Sequence, residues 1–387
     1  MRVAIVTESY PPDVNGVAHC ALQTALHLSR RGHDPLVIAP APAGTPAHDP
    51  ATRPPAGPAD DLPAPVVRIP ALPLPGYRQV RVALPSRRLA AAITAHHPDV
   101  VHLASPFVLG VRGMAVAARL GVPAVAVYQT DLAGYARTYL GAGAGAAWRR
   151  IRAVHAAADL TLAPSTASLR ELTEHGIPRV RLWRRGVDTA RFRPELRDEA
   201  LRAGLAPEGE LLVGYVGRLA PEKHVELLAE TAALPGVRVV VVGDGPSEGA
   251  LRAALPGARF LGRRTGADLA RIYASLDVFA HTGPFETFCQ TVQEAQAAGV
   301  AVIAPAAGGP LDLIDHGRTG LLVPALDGGA LRDAVAGLRG DAARRAALAG
   351  AGRAAVRDRT WEAVGDQLLD HYAEVVRTRA AGTAVAR

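Results

Sequence analysis

Thiols are nearly missing from this chain, which has two cysteines, Cys20 and Cys289. There is no C-x-x-C pair and no ligand cluster around either. A disulfide scaffold and a structural zinc site are therefore excluded, and a reducing compartment suits the composition. Lysine is scarcer still: Lys223 is the one lysine among 43 basic residues, and the rest are arginines. Long apolar runs are lacking too, since none approaches the ~20 residues that span a bilayer. The strand-like opening Met1-Arg2-Val3-Ala4-Ile5-Val6 does not read as a secretory leader. A cytoplasmic enzyme is the expectation. The net charge of +7 is modest; it favours phosphates or an acidic membrane surface and carries no message specific to nucleic acid.

What is present reads as a globular α/β protein. The 387 residues, 49% apolar and 20% charged, are too many for one comfortable core and suggest two domains. Short apolar runs at 2–7, 35–39, 66–69, 99–103, 124–128 and 160–163 predict strands. A second set follows at 211–217, 237–242, 258–261, 278–281, 301–304 and 320–323. Helical patterns at 16–31, 86–97, 110–120, 147–157, 165–175, 222–233, 266–274 and 288–298 lie between them. Such alternation predicts parallel sheets covered on both faces, and the pattern restarts near Leu211 as a second Rossmann-like unit. The junction falls around Arg184-Arg185-Gly186-Val187-Asp188. Residues 40–75 hold twelve prolines, which predicts a long loop around one short strand at 66–69. Near the end, Trp361, Val364, Leu368, Tyr372 and Val375 share one helical face. That helix either finishes the second domain or crosses back to the first.

Three turns carry candidate chemistry. The run 211–216 leads into Gly217-Arg218-Leu219-Ala220-Pro221-Glu222-Lys223, a strand end with a compact ammonium that suits a diphosphate. The bland alternative is a lysine on a solvated helix face. Glu286 and Glu294 bracket Thr287-Phe288-Cys289-Gln290-Thr291-Val292-Gln293. With a helix beginning at Thr287, the stretch between them rises roughly 12 Å. Glycosidase carboxylates sit only about 5–10 Å apart, so this spacing suits one extended ligand better. The free N–H groups of Phe288, Cys289 and Gln290 would then form an anion site at the helix start. Here the alternative is a helix-start acid and a solvated mid-helix glutamate. Gly16, after the strand 2–7, and the loop Val242-Gly243-Asp244-Gly245 admit a ligand but are equally plain β–α turns.

Together these segments resemble the retaining glycosyltransferases of family 4, over nearly the whole chain. The likeness rests on the Gly16 loop, Gly217-Arg218-x4-Lys223, Glu286-x7-Glu294 and Arg185-Gly186-Val187-Asp188. The stretches 288–295 and Ala304-Pro305-Ala306-Ala307-Gly308-Gly309-Pro310 look like the branch of GDP-mannose-dependent α-mannosyltransferases. Related members use UDP-sugars, so a UDP-dependent hexosyl or N-acetylhexosaminyl transferase stays as the alternative. A binding module without catalysis and a nucleotide-sugar epimerase are more distant ones.

The resemblance implies the GT-B fold, two Rossmann-like doubly wound domains facing a cleft. Residues 1–185, joined by the terminal helix 361–387, would form the acceptor domain, and 186–360 the donor domain. It implies that Arg218 and Lys223 bind the donor diphosphate, Glu286 the transferred sugar and Glu294 the ribose, with the backbone around Arg263 bordering the base and Gly16 and the Phe288-Cys289-Gln290 segment also at the donor. Transfer with retention lets the departing phosphate help take the proton, so no carboxylate base is required. No cofactor is implied, and the chain has no D-x-D, in keeping with catalysis free of an essential metal. One departure stands out: Tyr128-Gln129-Thr130-Asp131 has Gln129 where many members carry histidine. Gln129 hydrogen-bonds but cannot become charged, and Asp131 is a candidate to share its duty. His102 and His281 are either interior histidines or further candidates. The implied acceptor is a lipid or small glycoside. The arginine-bearing stretches 77–88 and 148–152 suit either a peripheral membrane contact or a solvated face.

Overall fold

The structure is a computed structural model and describes residues 1–42, 62–74, 77–130 and 144–385. The chain forms two compact units. Unit 1 comprises Met1–Pro164, Ser168–Arg184 and Val364–Arg387, and unit 2 comprises Ser165–Ala167 and Arg185–Ala363.

Unit 1 is built on a parallel sheet of β1 (Arg2–Val6), β2 (Asp34–Pro40), β3 (Val66–Ile69), β6 (Val100–Leu103), β7 (Ala124–Val127), β8 (Leu160–Ala163) and β9 (Val180–Leu182), after the small antiparallel pair β4 (Ala71–Leu74) and β5 (Tyr77–Ala83) is set aside. Its strand order is β3-β2-β1-β6-β7-β8-β9. Strands buried on both faces explain the near-continuous apolar runs. Ala4, Val6, Leu103 and Ala126 pack on one side with Leu89 and Ile93 of the helix Arg87–His96. The helix Gly16–Arg30 begins because Asn15 accepts hydrogen bonds from the Val17 and Ala18 amides at 3.0 and 2.9 Å. The expectation for 40–75 was too spare. Its strand at 66–69 is present, but β4 and β5 were not foreseen, because Pro73 reads as a strand breaker. Here it sits on a two-stranded edge at a register shift, where a proline is tolerated. Residues 43–61 lie outside the described residues.

The last helix, Trp361–Val385, crosses back to unit 1. Val364, Leu368, Tyr372 and Val375 are buried there, each contributing about 1.5–3 kcal/mol. Trp183 donates from Nε1 to the Val364 carbonyl at 2.9 Å, and the Tyr372 hydroxyl lies 2.7 Å from His102 Nδ1. His102 is thus an interior residue, and burial lowers its pKa to about 3.

Unit 2 repeats the plan with β10 (Leu211–Val216), β11 (Val237–Val242), β12 (Arg259–Phe260), β13 (Val278–Ala280), β14 (Ala301–Pro305) and β15 (Leu321–Val323). All pairings are parallel, in the order β12-β11-β10-β13-β14-β15. Alternation splits each strand between two cores: Val213, Tyr215, Val239 and Val241 face one, and Leu212, Val216, Val240 and Val242 the other.

Candidate functional site

In unit 2 the strand order reverses direction between β10 and β13, and a doubly wound sheet binds ligands beyond the carboxyl ends of such a pair. Both segments with candidate chemistry leave the sheet there. β10 runs into Gly217–Lys223, and β13 runs into His281–Glu286. Their side chains meet: Lys223 Nζ lies 2.6 Å from Glu286 Oε1. His281 Nε2 approaches the same oxygen at 3.5 Å, and its ring stacks on Tyr215 at 6.4 Å between centroids. Arg218 forms an ion pair with the buried Glu222.

The expected helix 222–233 is not formed as such. Pro221–Lys223 and Val225–Leu227 are 3-10 turns, separated by His224 at φ 49°, and only Leu228–Ala232 is α-helical. Lys223 therefore projects from a tight turn rather than a solvated helix face. Thr282 pins that turn by donating from Oγ1 to the Lys223 carbonyl at 2.6 Å.

The helix expected from Thr287 begins instead at Gln290. Cys289 adopts φ 76°, ψ 68°, a left-handed conformation at the N-cap of that helix. The 286–288 segment is held by the turn at 306–310, where the Gly309 amide donates to the Glu286 carbonyl at 2.7 Å. A Cβ on Gly309 would stand 2.1 Å from the Phe288 carbonyl oxygen, so close approach of the two backbones requires glycine. The roughly 12 Å helical rise between Glu286 and Glu294 is corrected accordingly, since only its second half is helical.

The anion site was expected at a helix start that lies later in the chain, at Gln290. Phe288 is buried in the core beneath the Arg185 guanidinium, 6.0 Å from its ring. Cys289 is buried as well. Gln290 turns its amide away, donating from Nε2 to the Gly186 carbonyl at 2.9 Å. The side chains of these three residues are therefore structural. Gly186 belongs to the same arrangement: a Cβ there would stand 2.5 Å from the backbone of Trp361. Gly243 likewise serves packing, because a Cβ would stand 1.9 Å from the Gly217 carbonyl oxygen.

Electrostatics separates the two glutamates. Burial alone would raise the Glu286 pKa, but the Lys223 ammonium and His281 outweigh it and hold the carboxyl well below the usual range. Burial also works against charge on His281, and the Cys289 sulfur and Glu286 carboxylate overcome it, pushing the pKa up to about 10. Glu294, half-buried, moves the other way. Burial raises its pKa to about 7, against a hydrogen bond from Tyr273 and the charge of Arg191. Tyr273 donates to its Oε2 at 3.2 Å. His281, Glu286 and Cys289 also offer ligand atoms within 4.8 Å of one another. The Lys223 ammonium already stands on the carboxylate that a cation would need.

The remaining expected residues lie elsewhere. Arg263 is exposed, with Nε 3.9 Å from Asp244 Oδ2. In unit 1, Gly16 is the exposed first residue of its helix, and Gln129 is buried just after β7. Asp131 lies outside the described residues. In the stretch 148–152, Ile151 is buried and Trp148 stacks on His175 at 3.5 Å, while Arg149, Arg150 and Arg152 are exposed. Its apolar members turn inward and its arginines outward. Glu222 was not singled out as a functional residue, although its i,i+4 spacing to Arg218 was a visible signal. His281 was left open between an interior and a site residue; it is buried just after β13, 3.5 Å from Glu286 Oε1.

Similarity to known proteins agrees with this geometry. The family described as Glycosyltransferase Family 4 matches residues 14–191, and the one described as Glycosyl transferases group 1 matches residues 210–341. A GDP-mannose-dependent alpha-mannosyltransferase of Mycobacterium tuberculosis is 49% identical over 98% of both chains. One of the same description from Mycolicibacterium smegmatis is 48% identical, over 98% of this chain and 99% of its own. Among solved structures, sucrose-phosphate synthase from Thermosynechococcus elongatus aligns with a TM-score of 0.77 at 21% identity, covering 97% of this chain and 99% of that one.

Proposed function

Since the chain belongs to glycosyltransferase family 4 and has its GT-B fold, we propose that it transfers α-mannose from GDP-mannose, with retention, to a lipid or small glycoside. The observation that carries the choice of donor is the near full-length likeness to two GDP-mannose-dependent alpha-mannosyltransferases. The site supports the chemistry. Arg218 and Lys223 stand at the switch point of unit 2 and would neutralise the departing diphosphate. Glu286, kept ionised by Lys223, would hold hydroxyls of the mannose, and Glu294 would take the ribose. Backbone beyond β12, next to Arg263, would border the base. Gly16, expected at the donor, and Gln129 both lie in unit 1.

The departing phosphate takes the acceptor proton, so Glu286 need not act as a base. No essential metal is proposed: the ammonium on Glu286 supplies the positive charge that a cation would bring. Activity unaffected by EDTA is the expected result, and a metal-restorable loss would count against it. Among the described residues no helix is long and apolar enough to cross a membrane. A peripheral contact with an anionic membrane is the finer proposal, supported by the net charge of +7 and the exposed Arg149, Arg150 and Arg152. Co-sedimentation with anionic but not neutral vesicles tests it.

The donor is tested by a thermal-shift panel with GDP, UDP, ADP and dTDP, since a ligand that binds the folded state raises its melting temperature. A shift selective for GDP is expected. A shift selective for UDP would replace mannosyl transfer by UDP-dependent transfer.

A further inference from the structure

We infer that the cavity at the amino ends of the unit 2 strands, bordered by Arg339 and Arg345, binds the phosphate group of a small anion. The cavity is separate from the donor residues, and the inference does not depend on the transferase reading above.

The cavity holds about 330 Å³ and lies where three parallel strands begin. Glu210 precedes β10, Gly236 precedes β11 and Asp277 precedes β13. Arg202, Arg339 and Arg345 complete its charged lining. Lys223 and Glu286 lie beyond the opposite, carboxyl ends of β10 and β13. The strand β10 alone spans about 20 Å, so a small ion in the cavity does not touch them.

The acidic members of the lining are already neutralised. Asp277 Oδ2 accepts from Arg202 Nη2 at 3.1 Å and from the Leu212 amide at 2.9 Å, and its Oδ1 accepts from Arg197 Nη2 at 3.3 Å. Glu210 Oε1 accepts from Arg238 Nε at 3.0 Å, and Oε2 accepts from the Glu208 amide at 3.0 Å. The bonds from Arg238 hold the Glu210 carboxyl below its usual range. Arg339 and Arg345 differ. Arg339 donates from Nη1 to the Pro235 carbonyl, and Arg345 donates from Nη1 to the carbonyls of Leu338 and Arg339. Among the described residues, no carboxylate forms an ion pair with either guanidinium. Asp341, the nearest acid along the chain, turns its Oδ1 to the Arg344 amide at 2.8 Å and caps the helix Ala342–Val356.

Neutral carbonyls fix a guanidinium without discharging it. The end of the helix Gly328–Gly340 explains one such cation, Arg339 in its last turn. Arg345 reaches back from the next helix to the same cavity and leaves positive charge in excess. The bonds to carbonyls use Nη1 of each arginine, so the Nε–Nη2 edge that matches a phosphate stays outside them. Gly236 makes room for this arrangement. It adopts φ 67°, and a Cβ there would stand 3.1 Å from Arg339 Nη1. Two guanidiniums without carboxylates match a doubly charged oxyanion. The volume lies at the small end for ligand sites, suited to phosphate or a short phosphomonoester.

The test is isothermal titration calorimetry of the full-length protein with sodium phosphate and, separately, glycerol 3-phosphate, at ionic strength held constant with sodium chloride. A phosphate site that survives Lys223→Ala is expected, since that variant removes the donor ammonium and leaves the cavity intact. Arg339→Gln and Arg345→Gln should each raise the Kd about tenfold, the usual scale for losing a charged hydrogen bond. The thermal shift with GDP should stay at its wild-type value in both. If Arg345→Gln loses its cooperative melt, Arg339→Gln, at an exposed side chain, decides the question. Binding of both probes, or of either alone, upholds the site, and their relative affinity tells free phosphate from an esterified one. No binding of either probe up to about 10 mM overturns it. So does binding that is lost in Lys223→Ala, or that a folded Arg339→Gln leaves unchanged.

Discussion

At Lys223 a single ammonium occupies a place that arginine fills nowhere else in the chain's chemistry. Its Nζ stands 2.6 Å from Glu286 Oε1, out of a 3-10 turn, as a compact charge rather than a planar fork. Lys223→Ala should lower kcat/KM about a thousandfold, on the scale of losing a preorganised charge at the leaving group. Lys223→Arg should recover only part of that loss, and circular dichroism should show both variants folded. A Lys223→Ala rate within a factor of about three of wild type would remove the phosphate role. Glu294 makes a prediction of opposite sign to Glu286. Its folded pKa of about 7 lies above the reference 4.5, so the folded state binds more protons between those values. Its contribution to stability is therefore present at low pH and lost as pH rises toward and through 7. Partial exposure screens the effect to about 1–2 kcal/mol. Glu294→Gln should flatten this part of the Tm–pH curve. It should also abolish a rise in the KM for GDP-mannose below pH 7, because only the carboxylate accepts from two ribose hydroxyls. A wild-type KM independent of pH from 6 to 8 would remove Glu294 from the ribose.

Among the elements, the segment from Glu286 to Gln290 departs from the conformation its residue types suggested. Its residue types suggested a helix from Thr287, yet the helix begins only at Gln290, after Cys289 turns through a left-handed conformation. The reason lies about twenty residues away, in the glycine turn that bonds the Glu286 carbonyl and packs on Phe288. Gly309→Ala should force the two backbones apart. An expected loss of about 2–4 kcal/mol in urea unfolding goes with a much larger fall in activity, because Glu286 would move off Lys223. Activity and stability both at wild-type level would show that the turn does not position Glu286. The β4–β5 pair was illegible for a related reason: edge position, not local propensity, made Pro73 acceptable.

For the molecule as a whole, two sheets of the same plan each place a carboxylate at the reversal of strand order, Glu8 in unit 1 and Glu286 in unit 2. The last helix belongs to unit 1 through Val364, Leu368, Tyr372 and Val375. Leu368→Asp should therefore destabilise that unit by about 3–5 kcal/mol, measured by chemical unfolding, through an unpaired charge in its core. A change under about 1 kcal/mol would show that the helix is not part of that core. Much of this architecture was legible in the chain. Apolar runs of strand length alternating with helical patterns specify parallel sheets, because their spacing reports which faces are buried. The one lysine, Glu286 and the strand ends marked the segments that meet at the reversal of strand order in unit 2. What the chain could not disclose depended on contacts between distant segments. Lys223 pairs with Glu286 across two strands, Glu222 orients Arg218, His281 enters the site, and Phe288 leaves it for the core. Sequence by itself determined the periodicities and the residue types at the strand ends, which are local properties. Only the tertiary structure decided which of those residues share an oxygen, a proton or a cavity, because burial and charge act through space and not along the chain.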